Sequence, residues 1–342
     1  MECFSAGFQA NKNVFARINR LENRGNDRYK EVSMEHIYNE KNFHLKNTAV
    51  CLGKFDGIHK GHRLLIDTIK SYGELTSVVF TFALHPVTLF SKKETKLIDT
   101  LEEKMEKLSN LGVDILVSYP FTKETAAMEA EDFIKDVIVE KLDAKVIVVG
   151  KDYRFGYQRK GNVALLKKYA KIYGYKVVAL EKVSADHHVV SSTRIRNEIK
   201  NGNMEQAQEM LGVPYSLKGE VLHGQQLGRT IGMPTINQKV IDSKILPPNG
   251  VYVSKVHLED GIHGGITNVG VKPTVSGEKE VGIETYIFDF SGNLYGKVLR
   301  TELLHFVRGE RRFDSIAALT AQMHKDKSFG EKYLEDLAKR EK

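Results

Sequence analysis

Gly53-Lys54-Phe55-Asp56-Gly57-Ile58-His59-Lys60-Gly61-His62 follows the apolar run 49–52 and leads into the periodic segment 64–69. An apolar strand, a glycine-rich turn and a helix beginning near Gly61 aim free backbone N–H groups and the positive end of a helix dipole at one point. That point suits an anion. His59 and His62 stand three apart at the helix start, so both imidazoles can serve the same anion, and their N–H donors suit the oxygens of a triphosphate. A His-x-x-His pair alone is common in plain strand-to-helix turns. Gly53, Gly57 and Gly61, recurring at intervals of four around it, favour the phosphate reading.

Outward from this turn, short apolar runs alternate with helical patterns. Strands are expected at 77–82, 114–118, 146–150 and 176–180, and helices at 97–111, 130–142 and 163–173. The helices carry apolar residues at three and four spacing, as in Leu101, Met105 and Leu108. Such alternation predicts a parallel sheet with both faces covered, whose ligands gather at the carboxyl ends of the strands. His85-Pro86 and the run Lys151-Asp152-Tyr153-Arg154-Phe155 fall at those ends. Further on, Ser191-Ser192-Thr193-Arg194-Ile195-Arg196 opens another helix. The hydroxyls there are an ordinary N-cap, whereas a guanidinium beside a helix N-terminus calls for an anion.

A helical stretch, 204–211, bracketed by Gly202 and Gly212 reads as part of a linker over 187–213. Beyond it the period changes to two. Strands expected at 215–223, 251–258, 264–269, 282–289 and 297–306, with helices only at 316–323 and 333–337, suggest a small antiparallel β-barrel over 214–342. Its most informative run is 224–237. Gly224, Gly228 and Gly232 make a loop that can approach phosphates through backbone N–H groups, with Arg229 inside it. Thr235 and Asn237 then alternate along an extended segment and point to one side, two hard oxygen ligands of the kind Mg²⁺ takes alongside substrate phosphates.

The totals fit two domains of ordinary size. The chain has 342 residues, 41% hydrophobic and 28% charged, with a net charge of +7 spread without a long basic block. Anionic small molecules account for that charge as well as nucleic acid does. No run approaches the ~18 apolar residues of a membrane span. Cys3 and Cys51 are poorly placed for a disulfide or a zinc site, which points to a reducing cytoplasm. Residues 1–46 read as a poorly ordered leader without a secretory pattern, and Met34 offers a second start that would make 1–33 dispensable.

In this order and spacing, 53–62, 81–86, 150–156 and 191–196 resemble the adenylyltransferase module of prokaryotic bifunctional riboflavin kinase/FAD synthetases. The runs Leu246-Pro247-Pro248-Asn249-Gly250, Asn268-Val269-Gly270, Ile283-Glu284-Thr285 and 308–313, with Pro234-Thr235-Ile236-Asn237, resemble that family's kinase module. The resemblance implies a Rossmann-like nucleotidylyltransferase domain over 47–186 followed by a riboflavin-kinase-like barrel. It implies that riboflavin is phosphorylated to FMN and FMN adenylylated to FAD with loss of pyrophosphate, using ATP and Mg²⁺.

By the same likeness His59, His62, Ser192, Thr193 and Arg194 hold ATP phosphates with Gly53, Phe55, Gly57 and Gly61. His85, Pro86, Asp152, Phe155, Arg308 and Phe313 contact flavin. Thr235 and Asn237 hold magnesium, and Glu284 is the general base for the ribityl hydroxyl. Two positions depart from the family pattern: Lys54 replaces a usual Asn, Thr or Val, and Ala83 replaces an Asp. They keep open a second reading, a riboflavin kinase with a weakened or regulatory N-terminal domain. The expected partners are riboflavin, FMN and ATP, with neither nucleic acid nor membrane, in a monomer or weak homo-oligomer. A flavin- or RNA-binding regulator is the reading from another class, and the chain lacks the aromatic-basic pattern it would need.

Overall fold

Strand β2 (Thr48–Leu52) is apolar or β-branched at nearly every position and is buried along its whole length, the mark of a strand covered on both faces. It sits in a sheet described by a computed structural model covering residues 34–83, 96–185, 188–224, 227–273 and 279–340. Among these residues the chain divides into two compact units. Of the described residues, one unit draws on 34–55, 62–83 and 101–181, the other on 56–61, 96–100 and those from 182 onward.

The first unit holds β1 (Glu35–Tyr38), β2, β3 (Thr76–Phe82), β4 (Ile115–Tyr119), β5 (Ala144–Gly150) and β8 (Lys176–Leu180), between which lie the two-residue strands β6 (Arg154–Phe155) and β7 (Gly161–Asn162). The main sheet runs β1-β4-β3-β2-β5-β8 and every pair in it is parallel. Helix α1 (Lys60–Lys70) buries Leu65, Ile66 and Ile69. The further helices are α2 (Leu101–Asn110), α3 (Lys123–Ala126), α4 (Ala130–Asp132) and α5 (Val163–Tyr173). Asn162 caps α5 through its side chain and Gly174, left-handed at φ 78°, ends it.

Three expectations change here. The helix expected at 130–142 is a short α turn continuing as a π-helix over Phe133–Lys141, with Leu142 N–H reaching back five residues to the Val137 carbonyl at 2.9 Å. The helix expected from 97 starts at Leu101, because the backbone of Leu97 is hydrogen-bonded to Ser243 and Ile245 instead. Residues 35–38, read as leader, form β1 and pair with β4. The leader reading for 1–33 lies outside the described residues.

In the second unit the pair β9 (Ser184–Ala185) and β10 (His188–Val189) precedes α6 (Ser192–Asn201) and α7 (Met204–Leu211). Six antiparallel strands follow: β11 (Tyr215–Leu222), β12 (Thr235–Val240), β13 (Gly250–Leu258), β14 (Gly261–Pro273), β15 (Lys279–Ile287) and β16 (Val298–Gly309). They close into a barrel in the order β11-β12-β15-β14-β13-β16. Its interior includes a fully buried hydroxyl trio, Thr267 bonding Ser254 and Thr285 at 2.8 Å each.

A single turn, α8 (Leu227–Thr230), lies between β11 and β12, and one long helix, α9 (Ile316–Arg340), ends the fold. Two separate helices were expected there, since 324–328 (His-Lys-Asp-Lys-Ser) breaks the apolar period. The helix continues because buried Asp326 finds an arginine to pair with. Glycines bring α9 close to β14: a Cβ on Gly330 would stand 2.7 Å from Ile266 Cδ1, and one on Gly264 2.5 Å from Leu334 Cδ1. Among the described residues no helix is long and apolar enough to cross a membrane.

Candidate functional site

Residues 53–55, which follow β2, are held by bonds within the first unit. Gly53 N–H donates to the Phe80 carbonyl at 3.2 Å, and the Lys54 carbonyl accepts from Thr81 Oγ1 at 3.0 Å and Lys104 Nζ at 3.3 Å. Phe55 is fully buried in a left-handed conformation, φ 46°, with its ring 4.9 Å from that of His62. A Cβ on Gly53 would press on the Phe55 ring at 3.0 Å, so glycine lets the ring lie flat against the backbone. Lys54 itself is exposed. Beyond β5, Asp152 is exposed, whereas the Phe155 ring is buried against Phe133, Tyr153 and Gly161 and belongs to the core. His85 and Pro86 lie outside the described residues; Ala83 does not, and its N–H bonds the Tyr119 carbonyl at 2.8 Å.

Residues 56–61 belong to the second unit. Asp56 is their hub. Its Oδ1 accepts from Ile98 N–H at 2.9 Å and Asp99 N–H at 3.4 Å, its Oδ2 pairs with Arg196, and its carbonyl accepts from Ser192 Oγ at 2.7 Å. Asp99 Oδ2 in turn accepts from Ile58 N–H at 3.1 Å. Gly57 needs its φ of 69°, and a Cβ there would meet Ile98 Cγ2 at 2.8 Å. His59 is buried, and that burial holds its imidazole down at about 4, against weaker opposing pulls from its own backbone and Asp99. At neutral pH it is an uncharged N–H donor.

Helix α6 bears the next three expected residues. Ser191 is the N-cap, accepting from Arg194 N–H at 3.3 Å, and Thr193 is exposed. Arg194 Nε faces Glu198 at 3.4 Å, one turn along the same helix, so part of its charge is met by a carboxylate of α6 itself. Ser192 likewise has its hydroxyl proton engaged by the Asp56 carbonyl.

The barrel gathers the remaining residues. Cross-strand register sets Asn237 opposite Glu284, Glu284 opposite Asn268, Asn268 opposite Val251 and Val251 opposite Arg308. Directly opposed residues share a face, so this row stands on the side of the sheet away from the buried Thr267 and Thr285. Above it lies a cavity of about 600 Å³, whose lining includes Thr235, Asn268, Glu284, Arg308, Phe313 and Asp326.

Arg308 closes one side of this cavity. Its Nη2 meets Asp326 Oδ2 at 2.7 Å, its Nε both carboxylate oxygens at 3.1 and 3.2 Å, and its guanidinium lies 5.9 Å from the Phe313 ring centre. Glu310 accepts from Asn249 at 3.2 Å and Asn268 at 3.4 Å. Asn237 packs on Gly224, where a Cβ would come within 2.3 Å of its Nδ2. Gly228 passes equally close to the Met233 carbonyl, and Gly232 turns with φ 72°. Arg229 donates to the Tyr295 hydroxyl at 3.2 Å beside the stacked His223–Tyr295 rings.

The family model for FAD synthetase matches residues 41–194, and that for riboflavin kinase matches 211–334. The bifunctional riboflavin kinase/FMN adenylyltransferase of Listeria monocytogenes is 35% identical over 285 residues, covering 82% of this chain and 90% of its own. The chain belongs to the bifunctional riboflavin kinase/FMN adenylyltransferase family. Members from Bacillus subtilis and Escherichia coli are 35% and 34% identical, each covering 85% of this chain and 94% of the relative. A solved structure from Streptococcus pneumoniae, described as a macrolide-efflux protein, superposes with a TM-score of 0.79 at 32% identity over 87% of this chain and 98% of that one.

Within this riboflavin kinase/FMN adenylyltransferase chain, sequence reasoning missed Asp56, Asp99, Arg196, Glu310 and Asp326 as site-shaping residues. Asp56 lies inside the opening motif, but its partners are 42 and 140 residues away and nothing local signals them.

Proposed function

We propose that the barrel phosphorylates riboflavin with ATP and that the N-terminal module joins AMP to the resulting FMN, giving FAD and pyrophosphate. The observation that carries the kinase half is the row Asn237–Glu284–Asn268 beside a cavity large enough for a flavin. Glu284 takes the proton of the primary ribityl hydroxyl as its oxygen attacks the γ-phosphorus, and the bond to the β,γ-bridging oxygen breaks. Arg308 and Phe313 cover the flavin, with Asp326 holding the guanidinium in place.

The oxygens present fit magnesium. Thr235 Oγ1 and Asn237 Oδ1 are hard, neutral ligands on alternate residues of β12, and among the described residues no cluster of three His, Cys, Asp or Glu competes for a metal. Magnesium held there with the ATP phosphates would neutralise charge on the transferring group. The loop 224–232 approaches those phosphates through backbone N–H groups, with Arg229 at its rim.

In adenylyl transfer an FMN phosphate oxygen attacks the α-phosphorus of ATP and pyrophosphate leaves. His59 and His62 donate N–H bonds to the phosphates, helped by the backbone of 53–61, Thr193 and Arg194, and chemistry of this kind needs positioning and charge stabilisation rather than a protein nucleophile. Asp152 and His85-Pro86 contact the flavin. The net charge of +7 serves these anionic substrates, and the chain works in the cytoplasm as a monomer or weak homo-oligomer.

The test is full-length protein with ATP, Mg²⁺ and either riboflavin or FMN. FMN and FAD respectively are expected. FMN formation with no FAD would leave only the kinase reading.

A further inference from the structure

A short strap, residues 96–99, joins the barrel to the loop that carries His59, wholly within the second unit. On one side it is gripped by 243–245. Leu97 N–H donates to the Ser243 carbonyl at 2.6 Å, and Ile245 N–H donates to the Leu97 carbonyl at 2.9 Å. The Lys244 ammonium, on a side chain almost entirely buried, donates to the Ile98 carbonyl at 2.7 Å and lies 5.0 Å from the centre of the Tyr215 ring. Tyr215 donates its own hydroxyl to the Ile245 carbonyl.

On the other side the strap holds the loop. Ile98 and Asp99 give their N–H groups to Asp56, Asp99 accepts from Ile58 N–H, and the fully buried Ile98 side chain packs beneath Gly57. Ile98 thus gives its carbonyl to Lys244 and its N–H to Asp56. The planes of its two flanking peptides are fixed at once, and a shift at either bond is passed to the other. Ile58 and His59 are adjacent in the chain, so the imidazole inherits the position.

We propose that Lys244, a residue of the kinase barrel, is a positioning residue for adenylyl transfer. It acts through Ile98 and Asp56 on the loop bearing His59, and touches no substrate itself. The inference rests on the reading of that loop as an ATP phosphate site. A buried ammonium on a main-chain carbonyl is a charge-assisted bond. Replacing it by an apolar side chain of similar length leaves the Ile98 carbonyl without that donor and frees the strap to move. A misplacement of about 1 Å in a catalytic group costs up to ~10²-fold in rate.

The experiment compares full-length wild type, Lys244→Met, Lys244→Arg and Lys96→Ala, measuring riboflavin phosphorylation and FMN adenylylation on each preparation. Lys96 is the exposed end of the strap and donates to the Asp242 carbonyl, so its truncation leaves the core intact. For Lys244→Met we expect kcat for adenylylation to fall about tenfold or more with kinase activity within about twofold of wild type. Lys244→Arg keeps a cationic donor and recovers part of the loss, and Lys96→Ala gives a smaller fall in the same activity only. Wild-type adenylylation in Lys244→Met overturns the proposal, as does a parallel loss of both activities. A wild-type protein that forms no FAD would instead overturn the phosphate-site reading on which the proposal stands.

Discussion

Asp56 is engaged through all three of its oxygens, by Ile98 and Asp99, by Arg196 and by Ser192. Removing one partner of a buried ion pair strands the other, a loss of about 3–5 kcal/mol before relaxation. Asp56→Ala is therefore expected to lower the urea midpoint as well as FAD formation. His59 and His36 share a different property, each held at about 4 chiefly by burial. Between about 4 and the ordinary value of 6.5 the unfolded chain binds protons that the folded chain refuses. Stability is then complete above pH 6.5 and falls as the pH drops toward 4, which urea midpoints measured across that range will check; His59→Asn should flatten the slope. Glu284→Gln is expected to cut riboflavin phosphorylation by about 10²-fold or more while sparing adenylylation. His62→Ala is expected to do the reverse, read from FAD formed from FMN.

Helices α5 and α7 and strand β8 have the limits read from the sequence, because local signals mark them: Asn162 and Gly174 around α5, and Gly212 after α7. Elements whose limits depend on distant partners were not legible. The segment from Leu97 resembles a first helical turn until Ser243 and Ile245 take its backbone bonds. The middle of α9 reads as a break until Arg308 accounts for Asp326. The candidate site divides in the same way. Glu284, Thr235 and Asn237 are visible as residue types on an alternating pattern, whereas Ser192 has a partner, the Asp56 carbonyl, that only the fold brings to it.

Asp326→Ala tests the long helix, and we expect a loss of about 3 kcal/mol or more in denaturant unfolding together with a raised KM for riboflavin. Gly330→Val should lift the helix from Ile266 and weaken both properties in the same direction.

At the scale of the whole molecule, the FAD synthetase match spans 41–194, yet 56–61 and 96–100 pack with the unit that contains the barrel. Ile98 is fully buried in one core cluster with Tyr215, Leu217 and Ile245. Ile98→Ala in the full chain is accordingly expected to destabilise the kinase-bearing unit by about 2–4 kcal/mol, although it lies outside the kinase match. Unfolding followed through kinase activity will measure this. The same arrangement has a consequence during synthesis. Ile98 leaves the ribosome 146 residues before Lys244, an interval of roughly 7–30 s at ordinary elongation rates. Until residue 196 emerges the nascent loop has its aspartate but not its arginine, and through the whole interval Ile98 has no barrel to cover it. Nascent chains stalled between 100 and 190 should accordingly bind hydrophobic-surface chaperones through this segment, and release them once residue 245 has emerged.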